Sequence, residues 1–160
     1  MGVRVRKAVP ADAGAITDIL RELGAQGWFP HLAQEPREVT VARTAGHLER
    51  CAGSGDHSTW VAESAGQVVG YVAVHWVPYF LLPGPEGYVS ELFIREHARG
   101  QGIGTELLEV VKREARSRGC SRLLLENRRD RESYQRGFYR KRGWEERTRM
   151  AGFVYWLTDK

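Results

Sequence analysis

A chain of 160 residues is the size of one domain and long enough for one real core. Its 42% hydrophobic and 28% charged residues are the balance of an ordinary soluble globular protein, not of a membrane or low-complexity chain. A formal net charge of +4 is too mild to name a partner, and fits an anionic ligand, a nucleic acid or neither.

Residues 3–9 alternate apolar and basic side chains, as a half-buried strand does. Pro10, Ala11 and Asp12 open a helix with Ile16, Ile19, Leu20 and Leu23 on one face, and Gly24 and Gly27 end it. Residues 26–38 read as irregular, with Trp28, Phe29, Pro30 and His31 clustered. A second helix is expected over about 37–52, with a thin apolar face of Val41, Ala45 and Leu48. In WVAESAGQVVGYVAVHWV (60–77), two apolar runs flank Ser64, Ala65 and Gly66, which signals a hairpin. A loop with Pro78, Pro83, Gly84, Pro85 and Gly87 follows. YVSELFI (88–94) is a further strand, and plain alternation puts Val89, Glu91 and Phe93 on one face.

The next helix, over about 102–118, repeats Ile103, Leu107, Val111 and Ala115 every four residues, with Leu108 filling the stripe. Glu109 with Arg113 and Glu114 with Arg118 form outward pairs four residues apart. Gly119 stops this helix, and residues 122–126 read as a buried strand. A helix over about 131–142 places Tyr134 and Phe138 on one face, and Gly143 ends it. Two last strands are expected near 144–149 and 152–158. The order β-α-α-β-β-β-α-β-α-β-β describes a mixed α/β (α+β) sheet with helices packed on it. No repeat or linker interrupts it, so residues 1–160 read as a single domain.

Cys51 and Cys120 lie far apart, with no C-x-x-C and no nearby histidine pattern. That argues against a disulfide framework or a zinc site and suits a cytoplasmic chain. The opening residues lack a signal-peptide core. The longest nearly apolar run, 71–82, is too short to span a bilayer and contains Pro78, so no membrane partner is expected.

Residues 95–108 read REHARGQGIGTELL, with Gly100, Gly102 and Gly104 at the mouth of a helix. Glycine is costly there, so its repetition points to something that approaches the backbone closely. A P-loop is excluded, because no Gly-Lys-Ser or Gly-Lys-Thr closes the motif. A dinucleotide fingerprint meets Thr105 or Leu107 where its third glycine belongs, although Glu126 ends a strand where a ribose-binding acid would sit. R-x-x-G-x-G is met by Arg99, Gly102 and Gly104. After a strand and a short turn, the outward N–H groups and the helix dipole suit a pyrophosphate. The plainer reading is a helix start whose glycines only relieve a tight turn.

SELFIREHARGQGIGTELL resembles the acetyl-coenzyme A binding segment of the GNAT superfamily of N-acetyltransferases. Three other segments resemble that family in order. VRKAVPADAGAI is similar to its opening strand and first helix, and VAESAGQVVGYVAV to its central hairpin. RESYQRGFYRKRGW is similar to its second cofactor segment, with Phe138, Tyr139, Gly143 and Trp144 at the motif positions. Many members carry Asn and Ala seven and four residues before the tyrosine; this chain has Glu132 and Gln135, with Arg131 and Ser133 nearby.

The resemblance implies a mostly antiparallel, twisted GNAT-like sheet with helices on both faces and strands 4 and 5 splayed. It implies acetyl-CoA as co-substrate and no metal. On the family's pattern Arg99, Gly100, Gln101, Gly102, Ile103, Gly104 and Thr105 cradle the pyrophosphate. Arg95, Arg140 or Lys141 meets the remaining phosphate, or is a solvated face. Leu92, Phe93 and Ile94 pair with the pantetheine as an added strand, and an N–H near Phe93 polarises the thioester carbonyl. Ser133 serves the pantetheine arm. Tyr139 is the acid for the departing thiolate, or an aromatic core residue. Glu91 interrupts an apolar row and is the base, or a salt-bridged structural glutamate. Trp28, Phe29 and His31 fall in the variable acceptor loop and, with His75, shape the acceptor pocket. A hydrophobic flap and a packed hairpin histidine are their plainer readings. The five histidines, His31, His47, His57, His75 and His97, form no metal-spaced pair.

The expected activity is direct transfer of an acetyl group from acetyl-CoA to an amine in a ternary complex, with the acceptor either a small molecule or a protein. One alternative is a non-catalytic acyl-CoA-binding GNAT-like domain. The other is a basic nucleic-acid-binding module, suggested by nine Lys or Arg against four Asp or Glu in 128–149. Tyr134, Phe138 and Trp144 fall at core-facing spacing, so no stacking platform is evident and no nucleic-acid partner is expected. The C-terminal strands offer a route to a homodimer.

Overall fold

The computed structural model describes residues 2–157. The chain runs through β1 (Arg4–Lys7), α1 (Ala13–Ala25), α2 (Pro30–Gln34), α3 (Arg37–Ser54), β2 (His57–Ser64), β3 (Gln67–Val77), β4 (Glu86–Ile94), α4 (Ile103–Ser117), β5 (Arg122–Leu125) and α5 (Glu132–Gln135). It divides into two compact units, one ending at Leu125 and the other starting at Glu126.

In the first unit the strands make one sheet in the order β1-β2-β3-β4-β5. All neighbours are antiparallel except β4 and β5, which run parallel. Val61 of β2 and Tyr71 of β3 are cross-strand partners, so they share a face. On that face they meet Ala13, Ile16 and Ile19 of α1 and Leu48 of α3. Trp60 and Val72 point to the other face. There the Lys7 ammonium lies 3.8 Å from the Trp60 ring centre and 3.7 Å from Glu114 of α4. Just past α4, Arg118 lies 4.8 Å from the Trp76 ring centre. Helices therefore cover both faces, α1 and α3 on one and α4 on the other.

Helix α4 follows its four-residue stripe: Ile103, Leu107, Leu108, Val111 and Ala115 are at most 5% exposed. Each larger side chain so buried contributes about 1.5–3 kcal/mol. On the outside Glu114 pairs with Arg118 at 2.8 Å, but Glu109 pairs with Lys112 at 2.8 Å rather than with Arg113. At the start of α1, the buried Asp12 accepts bonds from Val9 N and from both terminal nitrogens of Arg6, each at 2.8 Å. Arg6 also reaches Glu63 of β2 at 2.7 Å, which ties α1 to two strands.

Three stretches differ from expectation. Residues 26–38 contain α2, whose closing carbonyls at Leu32, Ala33 and Glu35 accept bonds from the Arg21 guanidinium. The helix expected over 131–142 is broken, because Gly137 adopts a left-handed φ of +65°. Only α5 is α-helical there, and Arg140–Arg142 forms a 3-10 turn. The strands expected near 144–149 and 152–158 do not form over the described residues, and Phe153, Tyr155 and Leu157 stand exposed. A strand-like run makes a strand only where a neighbouring ladder takes up its backbone groups, and the second unit holds no strand among the described residues. Residue 158 lies outside the described residues.

Candidate active site

The sheet opens along β4. Its first four residues, Glu86–Val89, pair with β5, and there β5 ends. Beyond Val89, β4 has β3 on one side and no strand of the described residues on the other. The two strands are thus splayed, and the paired half is anchored by buried Glu86, which forms an ion pair with Arg122.

Where β4 loses β5, its register on β3 slips by one residue. Val89 lies opposite Val74 and Glu91 opposite Ala73, which leaves Ser90 without an opposite number. Such a slip reverses the alternation of side chains. Val89 therefore faces the α4 side, whereas Glu91 and Phe93 face the α1 side with Tyr71 and His75. The single row of Val89, Glu91 and Phe93 expected from alternation is corrected by this slip.

Glu91 is half-buried, and its Oε2 accepts a 2.5 Å hydrogen bond from the Tyr71 hydroxyl. Tyr71 is 1% exposed. Burial, and then the charge and hydrogen bond of Glu91, push the Tyr71 hydroxyl pKa well up, so it keeps its proton. Leu92, Phe93 and Ile94 are half-buried along the open part of β4. Arg95 follows them, but its guanidinium pairs with Glu22 of α1 and donates to Val68 O.

The glycine turn leads from β4 into α4. Gly100 and Gly102 take φ of +77° and +82°, a region costly for other residues, and a Cβ on either would meet no atom within 4 Å. Gly102 caps α4, and its carbonyl accepts from the amides of Thr105 and Glu106. The amides just ahead of those have no carbonyl one turn back, by the geometry of a helix start. Arg99 and Gln101 are exposed and donate to Ile94 O and His97 O, while Ile103 and Gly104 are buried and Thr105 half-buried.

The residues expected to shape an acceptor pocket fall into two groups. At the start of α2, Phe29 and His31 stack edge-on with centroids 6.3 Å apart, next to half-buried Trp28. His75 lies on the sheet with its ring 4.5 Å from His57, which is 6.1 Å from His47 of α3. His75 Nε2 is 3.0 Å from Ser90 Oγ, and His47 Nε2 is 3.4 Å from Cys51 Sγ. Burial, then the neighbouring His57 and His47, pull the His75 pKa down, with Glu91 opposing. Among the described residues no group of three His, Cys, Asp or Glu is arranged to hold a metal ion. None of their helices is long and apolar enough to cross a membrane.

In the second unit, Tyr139 packs edge-on against Phe138 and Trp144, with centroids 4.9 and 6.0 Å away. Burial raises its pKa, against the pull of Arg131 and Arg136. Ser133 donates to Asn127 Oδ1 at 3.1 Å. Asn127 Nδ2 is buried without a partner, as is Trp144 Nε1. Arg140 pairs with Glu146, and Lys141 is exposed.

Sequence reasoning did not single out Tyr71, Ser90 or Asn127, and it named His75 for the acceptor pocket without linking it to His57 and His47. Tyr71 and the histidines become notable only through strand register and a helix lying across it. Asn127 had a local signal, an amide side chain just after an apolar strand, which the structure leaves half-buried rather than buried as expected.

The sequence and the fold resemble those of known proteins. The sequence model of the Acetyltransferase (GNAT) family matches residues 18–144, and the chain belongs to that family of N-acetyltransferases. It is 27% identical over 124 residues to mouse (Mus musculus) thialysine N-epsilon-acetyltransferase, covering 76% of this chain and 72% of that one. It is 29% identical over 143 residues to glucosamine 6-phosphate N-acetyltransferase 1 of Oryza sativa subsp. japonica, covering 88% and 83%. The crystal structure of a transcriptional regulator from Bacillus halodurans C-125 superposes with a TM-score of 0.80 over 96% of this chain and 100% of that one. At 22% identity that likeness is one of fold.

Proposed function

We propose that this acetyltransferase moves an acetyl group from acetyl-CoA directly to an amine within a ternary complex. The observation that carries the proposal is the Glu91 carboxylate, held by a buried tyrosine on the strand that opens the sheet and leads into the glycine turn. The residues suit acetyl-CoA in two ways. The open, left-handed Gly100 and Gly102 leave the helix-start amides approachable by a pyrophosphate, with exposed Arg99 beside them. In the second unit the orphaned Asn127 Nδ2 is a buried donor that lacks an acceptor.

Acetyl-CoA supplies the activated acyl group. The open side of β4 at Leu92, Phe93 and Ile94 offers an edge for an extended ligand arm and a backbone N–H for the carbonyl. Glu91 accepts the amine's proton, which frees the nitrogen lone pair to form the new N–C bond as the C–S bond breaks. Tyr139 gives its proton to the departing sulfur, and burial keeps that proton in place at neutral pH. No enzyme nucleophile takes part. Both named relatives are N-acetyltransferases, which supports an amine acceptor, on a small molecule or a protein. Unpaired Cys51 and Cys120 suit action in the cytoplasm.

The basic stretch 128–149 does not favour nucleic acid. Arg128 pairs with Asp130, Arg129 and Arg140 share Glu146, and Arg142 donates to Phe138 O while lying 3.9 Å from that ring's centre. The test is a panel of amines assayed for thiol release from acetyl-CoA. At least one amine should drive release well above hydrolysis. A protein that binds acetyl-CoA yet releases no thiol with any amine is a binding domain, and the proposal fails.

A further inference from the structure

We propose that Tyr71 is a positioning residue for the transfer: its hydroxyl holds Oε2 of Glu91 so that Oε1 is the oxygen presented to the acceptor amine. The inference rests on the reading of Glu91 as the base.

Tyr71 is set in the core among Ile16, Ile19, Leu48 and Val61, with its ring edge-on to Phe93 at 5.9 Å. It is 1% exposed, and a tyrosine buried so deeply needs a partner for its hydroxyl. That partner is Glu91. The strand register explains how they meet. Tyr71 lies opposite Phe93, and Glu91 lies opposite Ala73, so Tyr71 and Glu91 are diagonal neighbours on one face. The small side chain of Ala73 leaves room for the carboxylate to lean along the sheet toward Tyr71. A packed ring fixes the hydroxyl, and the hydroxyl in turn fixes a flexible glutamate. Orientation of this kind is worth large factors in rate, because the acceptor then meets a base already in place. The titratable groups on Glu91's face of the sheet include Tyr71 and His75 of β3 and Tyr88 of β4, with His57 of β2 and His47 of α3 behind His75. Beyond β4, Arg95 is taken by Glu22 of α1.

The experiment compares Tyr71→Phe, Glu91→Gln and the double variant, with the best amine, from neutral to alkaline pH. Tyr71→Phe should lower kcat by up to about 10²-fold, the scale for a misplaced catalytic group, and leave the KM for acetyl-CoA unchanged. The loss should shrink toward alkaline pH, where more of the amine arrives neutral. In the Glu91→Gln background the same change should cost nothing further. Should Tyr71→Phe not fold, Ala73→Val keeps the tyrosine but crowds the carboxylate away from it, and should show the same signature. Wild-type turnover in the folded variant, additive losses in the double variant, or a loss flat with pH and matched by a fall in Tm would each overturn the role of Tyr71. Glu91→Gln at the wild-type rate would instead remove the base reading, and this proposal with it.

Discussion

His57 and His75 stand directly opposite each other on β2 and β3, edge to face, with ring centroids 4.5 Å apart. His47 of α3 completes a row of three imidazoles. Burial, and then His57 and His47 beside it, hold the His75 pKa below its ordinary 6.5.

His75 should make the fold acid-sensitive. Below about pH 6.5 an unfolded His75 takes up a proton that the folded one resists, so the unfolded state binds more protons. Stability is therefore complete above that pH and falls as pH drops toward the lower folded value. His75→Gln can still bond to Ser90 but cannot charge, so its Tm should fall less than the wild type's between neutral pH and about pH 5. Parallel melting curves for the two proteins would contradict this.

Asp12→Ala should be strongly destabilising. It removes the acceptor of three hydrogen bonds and leaves the Arg6 guanidinium half-buried with Glu63 and the Lys7 carbonyl as its remaining partners. Leaving such part-buried polar groups without their acceptor costs about 1–3 kcal/mol, readable by urea denaturation. The hydrogen bonds from Arg6 hold the Asp12 carboxyl below its usual range, against burial. Its contribution in the wild type is thus present above about pH 4 and lost as pH falls through the folded value.

Gly102→Asn separates backbone strain from obstruction. Asparagine tolerates the left-handed region better than other side chains, so the turn and α4 should hold with little loss of Tm. Its side chain would occupy the open space at the helix start. Affinity for acetyl-CoA by calorimetry should drop at least about tenfold, or 1.4 kcal/mol. Unchanged affinity would remove the phosphate cradle.

Tyr139→Phe keeps the ring that packs against Phe138 and Trp144 and deletes only the hydroxyl. Turnover should fall roughly 10²-fold, with acetyl-CoA affinity little changed. A variant at the wild-type rate, with chemistry rate-limiting, would make Tyr139 a packing residue.

The parts legible in advance are those written in local periodicity. Ile103, Leu107, Val111 and Ala115 recur at the helical period and lie buried in α4. Ser64, Ala65 and Gly66 punctuate two apolar runs, and β2 ends and β3 begins there. What was not legible depends on distant neighbours. Strict alternation cannot reveal that Ser90 is skipped, so it grouped Val89 with Glu91. Tyr71 looked like any apolar strand residue until register set it beside Glu91. The apolar run at 153–157 resembles a strand, yet it has no ladder to join among the described residues of its own unit.

The one-residue slip at Ser90 also bears on how the sheet finds its register during folding. If Ser90 instead paired with Ala73, the sheet would lose its irregularity and gain a regular ladder at that point. Every side chain after it would then turn over: Glu91 would swing to the α4 face opposite Val72, and Leu92 would take Phe93's place opposite Tyr71 on the α1 face. An unpaired carboxylate among buried valines is costly, so the misregistered sheet is penalised by the same residue assigned to the chemistry. Glu91 thus guards the strand against slipping, and a leucine at this position would remove the guard along with the proposed base.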